Sequence, residues 1–302
     1  MPAARALLPD GRWHFHHGPM DIVLGADGEA AAVAAAHEAA WQRFRPLLDE
    51  LVAELPALKA PVSADPCPLQ GPVAAAMWRA CRPHRSVFIT PMAAVAGAVA
   101  DALIAAYRRP GVRRAWANNG GDIALHLTPG ATLTVGLFSD LARLDAERLR
   151  QGPQADRAFE VGHALPVRGV ATSGWRGRSL SLGIADSVTV LAADAARADA
   201  VATVIANAVD VEHPGIRRRP AHEVKDGSDL GSLPVTVDVA ALPSPLVHQA
   251  LERGASCART LIARGLVHAA VLVCQGRLRR CGPLDHADAP APKLVQSLLN
   301  EH

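Results

Sequence analysis

The chain has 302 residues, half of them hydrophobic, with 31 Lys and Arg against 29 Asp and Glu for a formal charge of +2. That length holds one large domain or two small ones, and the balanced charge lacks the basic excess of a general nucleic-acid binder. The five cysteines (Cys67, Cys81, Cys257, Cys274 and Cys281) form no C-x-x-C pair, which argues against a disulfide framework or a zinc site. The most apolar window, Val87 to Ala100, is interrupted by Pro91 and ends at Asp101, short of the roughly 20 residues that span a bilayer. With no signal-peptide pattern after Met1, the expectation is a cytoplasmic protein with neither nucleic acid nor membrane as partner.

Taken in order, Trp13 to His17, a turn at Gly18-Pro19 and Asp21 to Leu24 predict a hairpin, which places His14 and His16 on one strand face. Such a pair binds metal when a carboxylate or thiol completes the set; otherwise it is one face of a strand. Val33, His37, Trp41, Phe44, Leu48, Leu51 and Leu55 recur at helical spacing and predict a helix over 30–55, kinked or restarted at Pro46. Pro56 to Pro72 reads as a connection. Ser86 to Ile89 reads as a short buried strand, followed by a helix that opens at Thr90-Pro91 and runs to about Arg109. Gly97 within that helix costs up to about 1 kcal/mol relative to Ala, so it predicts a close approach by backbone or ligand.

Two alternating stretches, Arg113 to Ala117 and Asp122 to Leu127, flank Asn118-Asn119-Gly120-Gly121. Amides and glycines suit a tight hairpin turn, and they equally let a ligand approach the main chain. Thr132 to Phe138 is a strand, 140–165 a surface excursion, and Val167 to Ala171 a strand entering the loop Thr172 to Arg178. Ser187 to Leu191 is a strand, and Asp194 caps a helix to about Val209. Along that helix Asp199, Thr203 and Asn207 share one face at i, i+4 and i+8, as a solvent-facing side or a functional one would. Residues 211–233, with Arg217-Arg218-Arg219, read as a solvated loop. Val235 to Val239 is a strand, Ser244 to Ala263 a helix, and Val267 to Val273 with Gly276 to Arg280 a final hairpin. The tail 283–302 holds a short helix at Lys293 to Leu299.

This order is neither a regular βα alternation nor all-β. It predicts an α+β fold, with helices on largely antiparallel sheets around a central cleft. The organisation is an N-terminal segment 1–11, a domain 12–282 and the C-terminal tail 283–302. The alanine-rich helices suit a single core or a homodimer interface.

Three segments resemble the ApbE family of flavin transferases: Val95 to Asp101, similar to its Ala-Lys-Gly-Tyr-Ala-Val-Asp helix; Asn119-Gly120-Gly121-Asp122-Ile123, similar to its Asn-x-Gly-Gly-Asp-Ile loop; and Ala171-Thr172-Ser173-Gly174, followed by Ser187 to Val190 and by Asp199 to Thr203, similar to its Ala-Thr-Ser-Gly, Ser-Val-Thr-Val and Asp-x-x-x-Thr segments. The chain also resembles an uncharacterised cytoplasmic ApbE-related family in Gly18 to Ile22, Phe88 to Gly97 and Gly177 to Gly183. The resemblance implies a T-fold-related α+β fold with a cleft for FAD or another nucleotide. It implies Mg²⁺ held by Asp199 and Thr203, and ligand contacts from Asp101, Asn118, Asn119, Gly120, Gly121, Asp122, Thr172, Ser173, Gly174, Arg178 and Ser179. Oxygen ligands of this kind suit Mg²⁺. Two features depart from the family pattern: its lysine falls at Ala96, and its His-x-x-x-Pro segment is missing.

The expectation is therefore a cytoplasmic protein binding a phosphorylated or anionic small molecule, with Arg178 standing in for the lysine. Transfer of flavin to an unidentified acceptor protein is placed in doubt by the two losses. The alternative is a non-catalytic accessory protein, for example in reduced-sulfur assimilation, where Cys67 and Cys81 would matter. A hydrolase built on His14 or His16 with Asp21 lacks a nucleophile motif.

Overall fold

The computed structural model describes residues 2–137, 157–177 and 179–283. The N-terminal hairpin forms as its alternation predicts, from β2 (Trp13–His17) and β3 (Met20–Gly28). Ahead of it, β1 (Ala4–Leu7) pairs with β2 and edges the same sheet. Arg5 pins this strand: its guanidinium lies 5.2 Å from the Trp13 ring and 5.1 Å from the Trp41 ring, and meets Glu38 at 2.7 Å.

The helix expected over 30–55 divides into α1 (Ala30–Phe44), α2 (Leu47–Ala53) and the single turn α3 (Leu55–Leu58), with Pro46 between the first two. After α4 (Pro72–Cys81) the stretch Ser86 to Ile89 is not a strand. Val87 and Phe88 are exposed, and Ile89 only accepts a hydrogen bond from the Val62 N–H. Thr90 does not cap the next helix either; its hydroxyl donates to Asp229 at 2.5 Å. The predicted helix to Arg109 is a 3₁₀ turn at Pro91–Ala94, then α5 (Val95–Ile104), then a second 3₁₀ turn at Ala105–Tyr107.

Strands β4 (Val112–Asn119) and β5 (Asp122–Leu127) form the central hairpin, and β6 (Thr132–Leu137) pairs with β7 (Arg157–Gly162) as a separate two-stranded sheet. Within the excursion expected over 140–165, residues 157–162 are therefore strand and 163–165 turn, while 140–156 lie outside the described residues. There follow β8 (Gly169–Ser173), β9 (Ser187–Ala192) and α6 (Ala195–Ala208), the last capped by Asp194, whose carboxylate accepts the Arg197 N–H. The loop expected over 211–233 contains β10 (Ile216–Pro220) and the short α7 (Ala221–Val224), and β10 pairs with β11 (Pro234–Val239). The arginine run is strand through this pairing, and each arginine also meets an acid: Arg217 pairs with Asp238, Arg218 with Asp210 and Arg219 with Glu223. The chain continues with α8 (Ser244–Ala263), β12 (Ala269–Cys274) and β13 (Arg277–Cys281). The tail after residue 283, with its expected helix at Lys293 to Leu299, lies outside the described residues.

Nine strands make one antiparallel sheet in the order β1-β2-β3-β4-β5-β8-β9-β12-β13. The fold is thus α+β, with helices laid on an antiparallel sheet. One core unites β2–β4 with α1, α4 and α5; a second unites β8, β9 and β12 with α6 and α8. Leu125, Leu127 and Val170 bury the opposite face under Phe159 and Val161 of β7.

The two helical cores meet where α5 crosses α6. A Cβ at Gly97 would lie 2.2 Å from the Ala195 carbonyl oxygen. On α5, Asp101 accepts the Ala195 and Ala196 N–H groups at 3.1 and 2.9 Å, satisfying two donors that a helix N-terminus otherwise leaves open. Gly97→Ala should force the helices apart and lower stability by about 1–3 kcal/mol, measured by denaturant unfolding. Burial pushes the Asp101 carboxyl up to about 6, although the two backbone donors pull it down. A carboxyl raised in the folded state stabilises the fold fully below its unfolded value, and that contribution is lost as pH rises through the folded value. Unfolding free energy measured from pH ~4 to ~7 should therefore fall less steeply in Asp101→Asn than in the parent.

Candidate functional site

The turn between β4 and β5 is closed by its own side chains. Gly120 and Gly121 adopt φ of 67° and 113°, a region glycine enters without strain. The Gly121 N–H donates to Asn118 Oδ1 at 2.8 Å, while the buried Asn119 donates through Nδ2 to the Ala96 carbonyl at 3.1 Å. Asn119 thereby ties the turn to the start of α5. Asp122, on the far side of the turn, accepts the Thr172 N–H through Oδ1 at 3.1 Å, and Thr172 exchanges a hydroxyl hydrogen bond with Thr189 at 2.9 Å. These bonds bring the Gly-Gly turn and the Thr-Ser-Gly loop together.

The third wall is α6. Asp199 Oδ2 accepts the Gly97 N–H at 3.0 Å, and Thr203 lies one turn further along. The third member of that face, Asn207, acts elsewhere. Its Oδ1 accepts the Ser181 hydroxyl and the Leu182 N–H at 3.2 and 2.9 Å, shaping the chain before β9.

A single cleft collects most of the residues expected to act. Asn118, Asn119, Gly120, Gly121 and Asp122 line it from the turn, Thr172, Ser173, Gly174 and Ser179 from the loop, and Asp199 and Thr203 from α6. Asp101 does not line it; its carboxylate is occupied at the N-terminus of α6, and the resemblance between the helices locates it without showing which way it faces. Arg178 lies outside the described residues. Lining positions not anticipated include Ile123 and Val170 on the central strands and Val135 and Gly136 on β6. Nothing local marks them, because the pairing of β6 with β7 decides what they face.

The lining has an unusual charge. Among the described residues it contains two carboxylates, Asp122 and Asp199, and no basic side chain or histidine. Burial first, and then the Asp122 charge, push the Asp199 carboxyl well above the ordinary range, while the N–H groups of Gly97 and Ala96 pull the other way. No trio of His, Cys, Asp or Glu among the described residues is placed to hold a metal by itself. The donor set nevertheless fits a hard cation: two carboxylates and the Thr203 hydroxyl supply oxygen, and Mg²⁺ ordinarily completes its shell with water and phosphate oxygens.

The remaining candidates stand elsewhere. His14 Nε2 meets Asp21 Oδ1 at 2.9 Å, and neither these two nor His16 lines the cleft. All five cysteines are free thiols. Cys81 is buried, and burial followed by the charges of Asp199 and Asp229 pushes its thiol far from the thiolate that reaction requires. No described helix is long and apolar enough to cross a membrane.

A UPF0280 protein of Methanospirillum hungatei is 36% identical over 148 residues, 47% of this chain and 53% of its own. One of Methanothermobacter thermautotrophicus is 37% identical over 145 residues, 47% of this chain and 50% of its own, so the chain spans about half the length of these curated relatives. One of Methanopyrus kandleri is 36% identical over 213 residues, covering 68% of this chain and 77% of its own. A crystal structure of the ApbE protein from Thermotoga maritima aligns over 92% of this chain and 96% of that one, at 13% identity and a TM-score of 0.38. The family described as AbpE bacteria matches residues 5–280, nearly the whole chain, and this ApbE-related family is the one to which the protein belongs.

Proposed function

We propose that the cleft binds a phosphorylated small molecule together with a divalent cation, Mg²⁺ by its donor chemistry, with a flavin nucleotide as the leading candidate. The observation that carries this reading is the convergence of the Asp122, Asp199 and Thr203 oxygens with the Gly120-Gly121 turn in one cleft. Oxygen donors of this kind suit a hard cation, whose remaining positions phosphate oxygens can fill. Asp199 and Thr203 would hold the cation, with Asp122 facing it across the cleft. When bound, Mg²⁺ supplies charge neutralisation and Lewis acidity at phosphoryl oxygens. The Gly120-Gly121 turn lets a phosphate approach the main chain without meeting side chains. Asn118 and Asn119 hold the turn in shape, and Thr172 fixes Asp122.

The same lining favours binding over transfer. Ala96 stands at the family's lysine position, and no described lining residue is a histidine or lysine that would move a proton at neutral pH. A binding or accessory role is thus the second reading, and Arg178 on the loop is the one sequence candidate for supplying positive charge.

Calorimetric titration of FAD and FMN, with and without Mg²⁺, tests the proposal. We expect binding only in the presence of Mg²⁺, weakened more than about 100-fold by Asp199→Ala, since even outer-shell changes at metal sites cost 10–100-fold. Flavin binding that ignores both Mg²⁺ and this substitution would overturn it. Failure of both flavins with Mg²⁺ still bound would retain the cation site and exclude flavin. Because Asp199 holds its proton beyond the ordinary range, Mg²⁺ affinity should rise with pH and binding should release a proton, read as a buffer-dependent heat.

A further inference from the structure

The loop wall of the cleft is longer than its strands need. Residues 174–186 join β8 to the neighbouring antiparallel β9, where a common hairpin uses roughly 2–5 residues. A connection of this length keeps one shape only where side chains and close packing restrain it. Its later part is restrained at α6: a Cβ at Gly183 would lie 2.1 Å from the Ala206 carbonyl oxygen, and Asn207 holds Ser181 and Leu182. Its earlier part, which supplies Gly174, Gly177 and Ser179 to the cleft, is restrained at a different point.

The Gly177 N–H donates to the Gly174 carbonyl at 3.1 Å, which makes Trp175 and Arg176 the corner residues of a turn. Gly174 lets this turn start against the chain that enters β9. A Cβ there would lie 2.5 Å from the Asp186 carbonyl oxygen, and the next N–H, that of Trp175, donates to the Ala185 carbonyl at 3.0 Å. The corner is then fastened by charge. Arg176 stands between two glycines that line the cleft, yet does not line it itself. Its guanidinium lies 5.0 Å from the centre of the Trp175 ring, and its Nε meets Asp186 Oδ1 at 3.3 Å. Asp186 is buried and held from two sides: its N–H donates to the Val273 carbonyl at 2.9 Å, and its Oδ2 accepts the Gln275 N–H. Gln275 has a φ of 45°, a left-handed conformation uncommon outside glycine. Its side chain accepts the Leu242 N–H at 2.9 Å and donates to the Ala240 carbonyl at 2.7 Å. One series of polar contacts thus runs from the cleft loop through Asp186 to the turn between β12 and β13 and the segment that enters α8.

We infer that Arg176 and Asp186 are positioning residues of the cleft, holding the Gly174–Gly177 turn so that Ser173, Gly174, Gly177 and Ser179 present a fixed wall to the ligand. The inference rests on the function proposed above, in which this wall faces a phosphorylated molecule while Asp199 and Thr203 of α6 hold the cation. A guanidinium on a buried carboxylate makes a stronger and more directional contact than neutral partners do. With the Arg176 side chain 39% exposed, the pair adds little to global stability, and its effect falls on the loop it fastens.

Amide hydrogen exchange in the full chain, combined with titration of Mg²⁺ and of FMN, tests this. In Arg176→Gln the Trp175 and Gly177 N–H groups should exchange at least about 10-fold faster, while β12 keeps its rates and the thermal midpoint is unchanged. FMN binding in the presence of Mg²⁺ should weaken about 10-fold. Affinity for Mg²⁺ alone should stay as it is, because the proposed cation ligands lie on β5 and α6 rather than on this loop. Asp186→Asn, which keeps an acceptor for the Gln275 N–H, should act alike on the loop, and the double variant should lose no more than either single one. Arg176→Lys should recover part of the loss, and Arg217→Ala, an equal charge change on β10, should show none. Unchanged exchange at Trp175 and Gly177 in Arg176→Gln would overturn the assignment. So would faster exchange with FMN affinity unchanged, or equal losses of FMN affinity, Mg²⁺ affinity and thermal stability. A parent chain that binds no FMN would count against the proposed function instead, and the exchange rates would then uphold or overturn the hold on the loop.

Discussion

The structure depends on the contact between α5 and α6. A glycine at position 97 lets the Ala195 carbonyl come within 2.2 Å of where a Cβ would stand, and Gly169 permits an equally close pass of Asp194 over the start of β8. The contact is cross-linked in both directions: Asp101 of α5 accepts the first N–H groups of α6, and Asp199 of α6 accepts the Gly97 N–H. Each helix thus satisfies polar groups of the other that burial would otherwise leave costly. The second of these bonds also holds a carboxylate at the cleft, so the packing that joins the two cores positions Asp199 in its lining.

The other walls follow from the same junction. Asn119 reaches Ala96 at the head of α5, which fixes the Gly-Gly turn against the helix pair, and Asp122 holds the Thr172 loop against the turn. Each polar side chain in this set commits an atom to backbone before any ligand arrives. Such preorganisation suits a site that must hold anionic and cationic partners in fixed relation, because the ordering cost is met by the fold.

Much of this is legible in the sequence where the signal is local. The alternation around Asn118–Gly121 and the i, i+4 spacing of Asp199 and Thr203 locate two walls of one cleft, and the glycine at 97 marks the close helix contact beside it. The failures share a cause. Ser86 to Ile89 has strand composition but gains no strand neighbour, and the run from Arg217 becomes a strand by pairing with β11, which the local sequence does not reveal. Asp101 is legible as a position but not as a direction: one face of α5 meets α6 and another the cleft, and only the packing distinguishes them.

The charge pattern bears on what the cleft is for. Two carboxylates held near each other in a partly desolvated site raise the energy of the folded chain when both ionise, and a purely structural role would not require both to face an opening. Asp199 could satisfy the Gly97 N–H as an asparagine does, without charge. The charge of Asp122 beside it helps push the Asp199 carboxyl above its ordinary range, a cost that an asparagine would avoid. Under the proposed reading a cation would offset that repulsion, with phosphate oxygens as natural ligands for its remaining positions. With Ala96 where the ApbE pattern has a lysine, that cation would carry a larger share of the neutralisation.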